Sequence, residues 1–249
     1  MKTINLTFLI LCVSISSVYC QHKKHASTAP ASTIKNGTTE ILVLKPFDGG
    51  VGMWGYKNSK TGKIVIEPAY YEAFPFSFGL GLVSNEKSKM GFINKNGKQV
   101  IPLIYNGALP FTEGLAAVNK GKGFDENNSF VTGYWGFIDI NGNEVIPFSF
   151  TEAKAFSQGL AAVGIDEIWG FIDKSGNEVI PKEYIDAYSF SEGLALVREE
   201  NGKWGFIDKS GATVIPFKYD FGESFSKGKA KVEINGKSFY INKKGERTN

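Results

Sequence analysis

The stretch Trp204–Pro216, Trp-Gly-Phe-Ile-Asp-Lys-Ser-Gly-Ala-Thr-Val-Ile-Pro, recurs in edited form as Trp54–Pro68, Met90–Pro102, Trp135–Pro147 and Trp169–Pro181. Repetition constrains the fold more than composition does. Each copy must form the same small unit, and each must bury an apolar face against the next copy. The glycines give the period most cleanly. Gly79, Gly114, Gly159, Gly193 and Gly228 follow Phe-Ser-Glu-like tripeptides at spacings of 35, 45, 34 and 35, and the long interval holds an insertion, Asn119 to Tyr134.

Each unit has three short apolar runs, for example Gly193–Val197, Trp204–Asp208 and Thr213–Ile215. They are rich in β-branched and aromatic residues and too short for helices, so they read as strands. Asn201-Gly202 separates the first run from the second. Ser210-Gly211, Asn96-Gly97 and Asn141-Gly142 separate second from third, where tight hairpin turns favour positive φ. The prolines Pro102, Pro147, Pro181 and Pro216 lack the N–H that continues a ladder, so they are expected to end the third strand. About ten linker residues, such as 182–190, then lead to the next unit. The expected fold is all-β, a tandem array of six three-stranded antiparallel meanders, the first starting at Ile41.

In Trp135-Gly136-Phe137-Ile138, Trp135 and Phe137 point one way and Ile138 the other. Both faces of such a strand are apolar, so both are covered, most simply by the units before and after. Gly136 and its equivalents mark a close approach by a backbone or a ring. A closed six-bladed, propeller-like toroid and an open twisted array both satisfy this pattern. The last unit favours the open array, because Lys229 and Lys231 replace the apolar residues found at Leu115 and Ala117 and give it one polar face.

The Trp54-Gly55, Trp135-Gly136, Trp169-Gly170 and Trp204-Gly205 pairs, the Phe-Ile-Asp-x-x-Gly runs, the Val-Ile-Pro endings and the Phe-Ser-Glu-Gly-Leu-Ala stretches resemble the WG-containing repeat family. The resemblance spans about Ile41 to Gly245; Met90 and Ser238-Phe239 depart from the Trp-Gly pattern. It implies a bacterial β-repeat module, often of the cell envelope, that mediates interactions. It supplies no catalytic residues.

Residues 1–20 read as a secretory signal peptide, with Lys2 before the mostly apolar Ile4–Val18, and residues 21–40 as a flexible polar linker ahead of a repeat domain over 41–249. Cleavage before Gln21 gives a secreted or periplasmic protein. Acylation of Cys20 instead gives a lipid-anchored one, and only then is a membrane an expected partner. The two cysteines of the chain, Cys12 and Cys20, both lie in this first segment, so the repeats use no disulfide, thiolate or cysteine metal ligand. Both histidines, His22 and His25, lie in the linker and read as part of a solvated basic tail.

The remaining chemistry is sparse. Asp139, Asp173 and Asp208 recur with the period just before a turn, where Asp accepts hydrogen bonds from backbone N–H groups. Glu113 and Glu192, before the repeated Gly, are read the same way. A glycosidase needs two differently tuned carboxylates at one place, which a periodic acid does not supply. With 28 basic and 25 acidic residues interspersed, the chain lacks the dense positive stripe of a nucleic-acid binder. No cofactor, metal or catalytic set is expected.

What breaks the period is the better guide, because insertions in repeat proteins map to loops on one face, often the binding face. Within the insertion, Phe124, Phe130 and Tyr134 are candidates to stack on a sugar or peptide, and Asp125 to accept hydrogen bonds. The functional expectation is an exported, non-enzymatic module that binds a protein or envelope component. Carbohydrate or peptidoglycan binding through loop aromatics is the alternative, and a hydrolase with a site on the loop side is the third class.

Overall fold

A computed structural model describes residues 43–50, 52–121, 123–124, 130–131 and 133–248. The first segment, the linker and Cys20 lie outside the described residues. Among the described residues the structure is all-β, with six antiparallel sheets in series and one extra two-stranded piece at the insertion. Sheet 1 has the strands Leu44–Asp48, Trp54–Asn58 and Ile64–Tyr70. Sheet 4 shows the general plan: Glu152–Ala153, Ala161–Ile165, Ile168–Ile172 and Glu178–Tyr184, each paired with the next. Sheets 2, 3, 5 and 6 follow it from Glu72, Gly107, Asp186 and Phe221.

The expected meander is present in every sheet, and two details extend or correct it. The stretch read as linker supplies a two-residue strand, which makes sheets 2 to 6 four-stranded. The proline does not end the third strand. Pro147 sits inside Glu144–Phe150, and Pro181 inside Glu178–Tyr184. The reason is a bulge. Trp169 pairs with Tyr184 but Phe171 with Ile180, so four steps on the long strand match two on its neighbour, and the missing N–H falls where the ladder is already interrupted. The strand is also a sheet edge, where proline blocks pairing with foreign strands.

The same bulge explains the Trp-Gly pair. A Cβ on Gly170 would stand 2.6 Å from the Ile180 carbonyl oxygen and 2.8 Å from the Lys182 nitrogen. Gly55, Gly91, Gly136 and Gly205 meet their own long strands at 2.5 to 2.9 Å. The close approach comes from within the sheet.

The turns fall into two kinds. In Asp173–Asn177 only Gly176 has positive φ, the three-residue hairpin in which a type I turn is closed by a left-handed glycine. Asp173 Oδ1 accepts from the amides of Ser175 (2.8 Å) and Asn177 (2.9 Å). Asp139 and Asp208 do the same, as do Asn94 and Asn242 in sheets 2 and 6. The periodic acids are turn acceptors, as their spacing predicts. Hydrogen bonds, from Asn143, Asn177 and Ser210 first, hold their carboxyls below the usual range. The Phe-Ser-x-Gly turns are two-residue hairpins with both central residues at positive φ, for example Glu113 (52°) and Gly114 (91°).

Between sheets one packing pattern repeats. Leu196, Trp204, Phe206 and Ile215 face forward from sheet 5, and Ala195, Val197 and Ile207 face back. At each interface an aromatic ring of one sheet meets a ring of the next: Tyr56–Phe76, Phe92–Phe111, Phe137–Phe156, Phe171–Phe190 and Phe206–Phe225, with centroids 4.7 to 4.9 Å apart at steep angles. Five apolar clusters result, each shared by two consecutive sheets, and none joins sheet 6 to sheet 1 among the described residues. The free faces are polar. Lys229, Lys231 and Tyr240 stand on sheet 6 where sheet 5 has Leu194, Leu196 and Phe206. Lys45 and Lys57 stand on the back of sheet 1 where sheet 5 has Ala195 and Ile207. Closing a ring would press four lysines together, so the array stays open.

Along one end of the array the turns are tied together. Ser77, Ser157 and Ser191 each donate at 2.6 Å to the carbonyl of Phe111, Phe190 and Phe225 in the next sheet. Glu113 accepts from the Gly159 amide and pairs with Lys174 at 3.0 Å; Glu192 accepts from Gly228 and pairs with Lys243 at 3.3 Å. Burial pushes the Glu113 carboxyl up, but the Lys174 and Gly159 hydrogen bonds and the lysine charge outweigh it and hold the group below its ordinary value. A carboxyl depressed in the folded state stabilises fully above its unfolded pKa, about 4.3, and stops doing so as pH falls through the folded value. Glu113→Gln keeps an acceptor for Gly159, as Gln158 does for Gly193 at 2.8 Å. Denaturation at a series of pH values is expected to show a shallower loss of stability below the usual carboxylate range for this variant than for the parent.

Candidate functional site

The hairpins that join the first strand to the Trp-Gly strand lie at the opposite end of each sheet from the tied turns, and the insertion is one of them. Lys120 and Tyr134 are cross-strand partners at its base. Beyond them Gly123 pairs with Val131 and Phe124 with Phe130, a small second ladder that sets the two phenylalanines opposite one another in register. Asp125 lies outside the described residues. Tyr134 is 53% exposed. Of the four residues singled out from the sequence, the register therefore brings Phe124 and Phe130 together and sets Tyr134 at the base of the same hairpin.

Next to that base a feature appears that the sequence did not reveal. The Lys120 ammonium lies 4.4 Å from the Phe148 ring centre and 5.5 Å from Tyr105. In the following sheets Lys154 lies 5.0 Å from Trp169 and 4.4 Å from Tyr188, and the Arg198 guanidinium 5.3 Å from Trp204. Tyr188 and Trp204 are 5.6 Å apart, so Trp169, Lys154, Tyr188, Trp204 and Arg198 form one unbroken line. Such contacts are worth about 0.5–2 kcal/mol each, rising with desolvation. Burial pushes the Lys154 ammonium pKa down, and the charges of Asp186 and Glu152 oppose the shift. The cations occupy different positions of their repeats, so no period announces them.

Two open grooves lie on sheets 4 and 5. One, of about 490 Å³, is lined by Glu183, Tyr184, Glu199, Glu200 and Phe217, with Tyr184 stacked on Phe217 at 6.3 Å. Burial, then a hydrogen bond to Glu183 and the charges of Glu183 and Glu199, hold the Tyr184 hydroxyl pKa well above its ordinary value. The other, of about 510 Å³, is lined by Thr151, Glu152, Asp166 and Glu167. Among the described residues no three His, Cys, Asp or Glu side chains gather as a metal-ligand group. This end of the array offers ring faces, cations held against rings, and carboxylates.

Asp166 and Glu167 form a two-residue hairpin with φ of 50° and 67°. The left-handed region costs a non-glycine residue about 1–2 kcal/mol, and sheet 6 uses Asn235-Gly236 at the matching turn. Replacing Asp166-Glu167 by Asn-Gly is expected to stabilise the protein by about 1 kcal/mol, the relieved strain exceeding the added chain entropy. A thermal midpoint that stays put or falls contradicts this.

The family model described as WG containing repeat matches residues 54–87, 90–124, 135–167, 169–204 and 204–237. No curated protein matches the sequence. Among solved structures, BamB from Moraxella catarrhalis is similar over 83% of this chain and 72% of that chain, at 10% identity and a TM-score of 0.50. The WD40 β-propeller domain of Doa1 is similar over 84% and 71%, at 10% identity and a TM-score of 0.41. At 10% identity the likeness to BamB is one of fold.

Proposed function

Because the chain belongs to the WG containing repeat family, we propose that it is an exported, non-enzymatic interaction module that holds a protein or envelope component at the hairpin end of its open array. The observation that carries this reading is that the break in period rises from a cation–aromatic stack at the same end of the array as the cation–aromatic line. The insertion rises from Lys120 and Tyr134, and Lys120 is itself stacked on Phe148. A rigid row of sheets suits an extended partner, because contact is spread over several repeats and little order is lost on binding. The family match and the series of sheets support an interaction role at the level of class.

A second reading, binding of a carbohydrate such as peptidoglycan, draws support from the exposed ring of Tyr134. Both are tested by one variant. Replacing residues 121–133 by Asn-Gly leaves Lys120 and Tyr134 as partners across a two-residue turn, the geometry that Ile234 and Lys237 adopt in sheet 6. Capture from the envelope fraction, beside a glycan array, is expected to lose a specific species in the shortened variant at an unchanged thermal midpoint. Equal capture by both forms removes the insertion from the binding site.

A further inference from the structure

The opposite end of the array, where the turns are tied, carries a second off-period feature. In the Phe-Ser-x-Gly turns, Phe-Thr-x-Gly in sheet 3, the variable position is Glu113, Gln158, Glu192 and Lys227 in sheets 3 to 6, but Phe78 in sheet 2. All five residues have φ between 50° and 56°. In the neighbouring turns the residue after the Asx acceptor is Lys95, Lys174, Lys209 and Lys243 in sheets 2, 4, 5 and 6, but Ile140 in sheet 3. Lys174 pairs with Glu113 of the sheet before it, and Lys243 with Glu192. Phe78 and Ile140 therefore occupy the same paired positions, one sheet apart, where two other interfaces carry an ion pair.

Neither residue is placed there for packing. Phe78 is 56% exposed and Ile140 44% exposed. A bulky aromatic at positive φ is a conformational outlier, with a strain that its exposed ring does not repay by burial. On the sheet 1 and sheet 2 side of the pair the chain is basic. The turns over residues 58–63 and 94–98 carry Lys63, Lys95 and Lys98 and no carboxylate, whereas the matching turns of sheets 3 to 5 each open on an acid, Asp139, Asp173 and Asp208. The carboxylates of Glu113 and Glu192 at this end are held by Lys174 and Lys243.

We propose that this end docks on an anionic lipid surface, with Phe78 and Ile140 entering the headgroup–acyl boundary and the lysines of the sheet 1 and sheet 2 turns facing lipid phosphates. An apolar tip flanked on one side by ammonium groups matches that interface in both polarity and charge. The hairpin end with its insertion then points away from the bilayer, toward soluble partners. This surface is separate from the one assigned to partner binding.

The test uses the full chain and vesicles of phosphatidylethanolamine with phosphatidylglycerol, beside neutral phosphatidylcholine vesicles. The double variant F78E/I140K installs the pair that the array itself uses at Glu113 and Lys174, so it is expected to fold. It is expected to bind anionic vesicles at least about tenfold more weakly than the parent at an unchanged thermal midpoint. In a second variant, F78W, the added indole is expected to shift to shorter emission wavelength with anionic vesicles and not with neutral ones. Undiminished vesicle binding by F78E/I140K overturns the proposal, because another segment then makes the contact. So does a parent chain that stays in solution with both vesicle types; the apolar pair is then a contact for a protein.

Discussion

Phe171→Ala is expected to lower stability by about 3–5 kcal/mol, more than any substitution at an exposed position. The Phe171 ring is wholly buried and meets Phe190 of the next sheet at 4.9 Å and 60°. Truncation removes the ring's apolar burial, leaves a cavity lined by two sheets, and dissolves an aromatic pair worth about 0.5–1.5 kcal/mol beyond its area. Because sheets touch only their neighbours, amide exchange should rise most in sheets 4 and 5. Denaturant titration measures the magnitude. A loss under about 1 kcal/mol would mean that the ring pair is not what joins the sheets.

Gly170→Ala is the second. The added methyl meets no flexible side chain first: its nearest neighbours are the Ile180 carbonyl oxygen at 2.6 Å and the Lys182 nitrogen at 2.8 Å. The long strand must move off the Trp-Gly strand, which opens the bulge and shifts Trp169 against Tyr184. Overpacking typically costs about 1–3 kcal/mol, and a clash with fixed backbone belongs at the upper end of that range. Gly114→Ala meets no neighbouring atom within 4 Å and is strained only by its positive φ of 91°. The ordering Gly170→Ala below Gly114→Ala in thermal midpoint is the expected result.

How far the sequence carried this fold is clearest at particular residues. The alternation of Trp135, Phe137 and Ile138 gave the two buried faces, and Lys229 and Lys231 gave the polar end of the array. The matching lysines on sheet 1, Lys45 and Lys57, were not legible, because their facing depends on a cross-strand register that no turn residue announces. Proline misled for a physical reason. A missing N–H ends a strand only where an N–H is needed, and at Pro147 and Pro181 the bulge removes the need. Tryptophan drew the eye in the repeat, and Trp169 and Trp204 are buried at their interfaces, but Trp54 and Trp135 are only half-buried while Phe92, Phe137, Phe171 and Phe206 are wholly enclosed.

At the candidate site the balance differs. The insertion stood out because it breaks the period, and the structure gives it a base at Lys120 and Tyr134. The line from Trp169 to Arg198 was invisible, because its cations come from two sheets and from unlike repeat positions, although Trp169 and Trp204 share one. Phe78 and Ile140 depart from the repeat but were not singled out in the sequence, and their pairing needed the Glu113–Lys174 contact to interpret it.

On the proposed reading, residues that keep the period build and residues that break it bind. One comparison tests this directly: capture of an envelope component by the triple variant D139N/D173N/D208N and by the form with residues 121–133 shortened to Asn-Gly. Asn94 and Asn242 already accept the same turn hydrogen bonds in sheets 2 and 6, so the triple variant is expected to fold and to capture as the parent does. The shortened form is expected to fold and lose capture. A folded triple variant that no longer captures, beside a shortened form that does, contradicts the account.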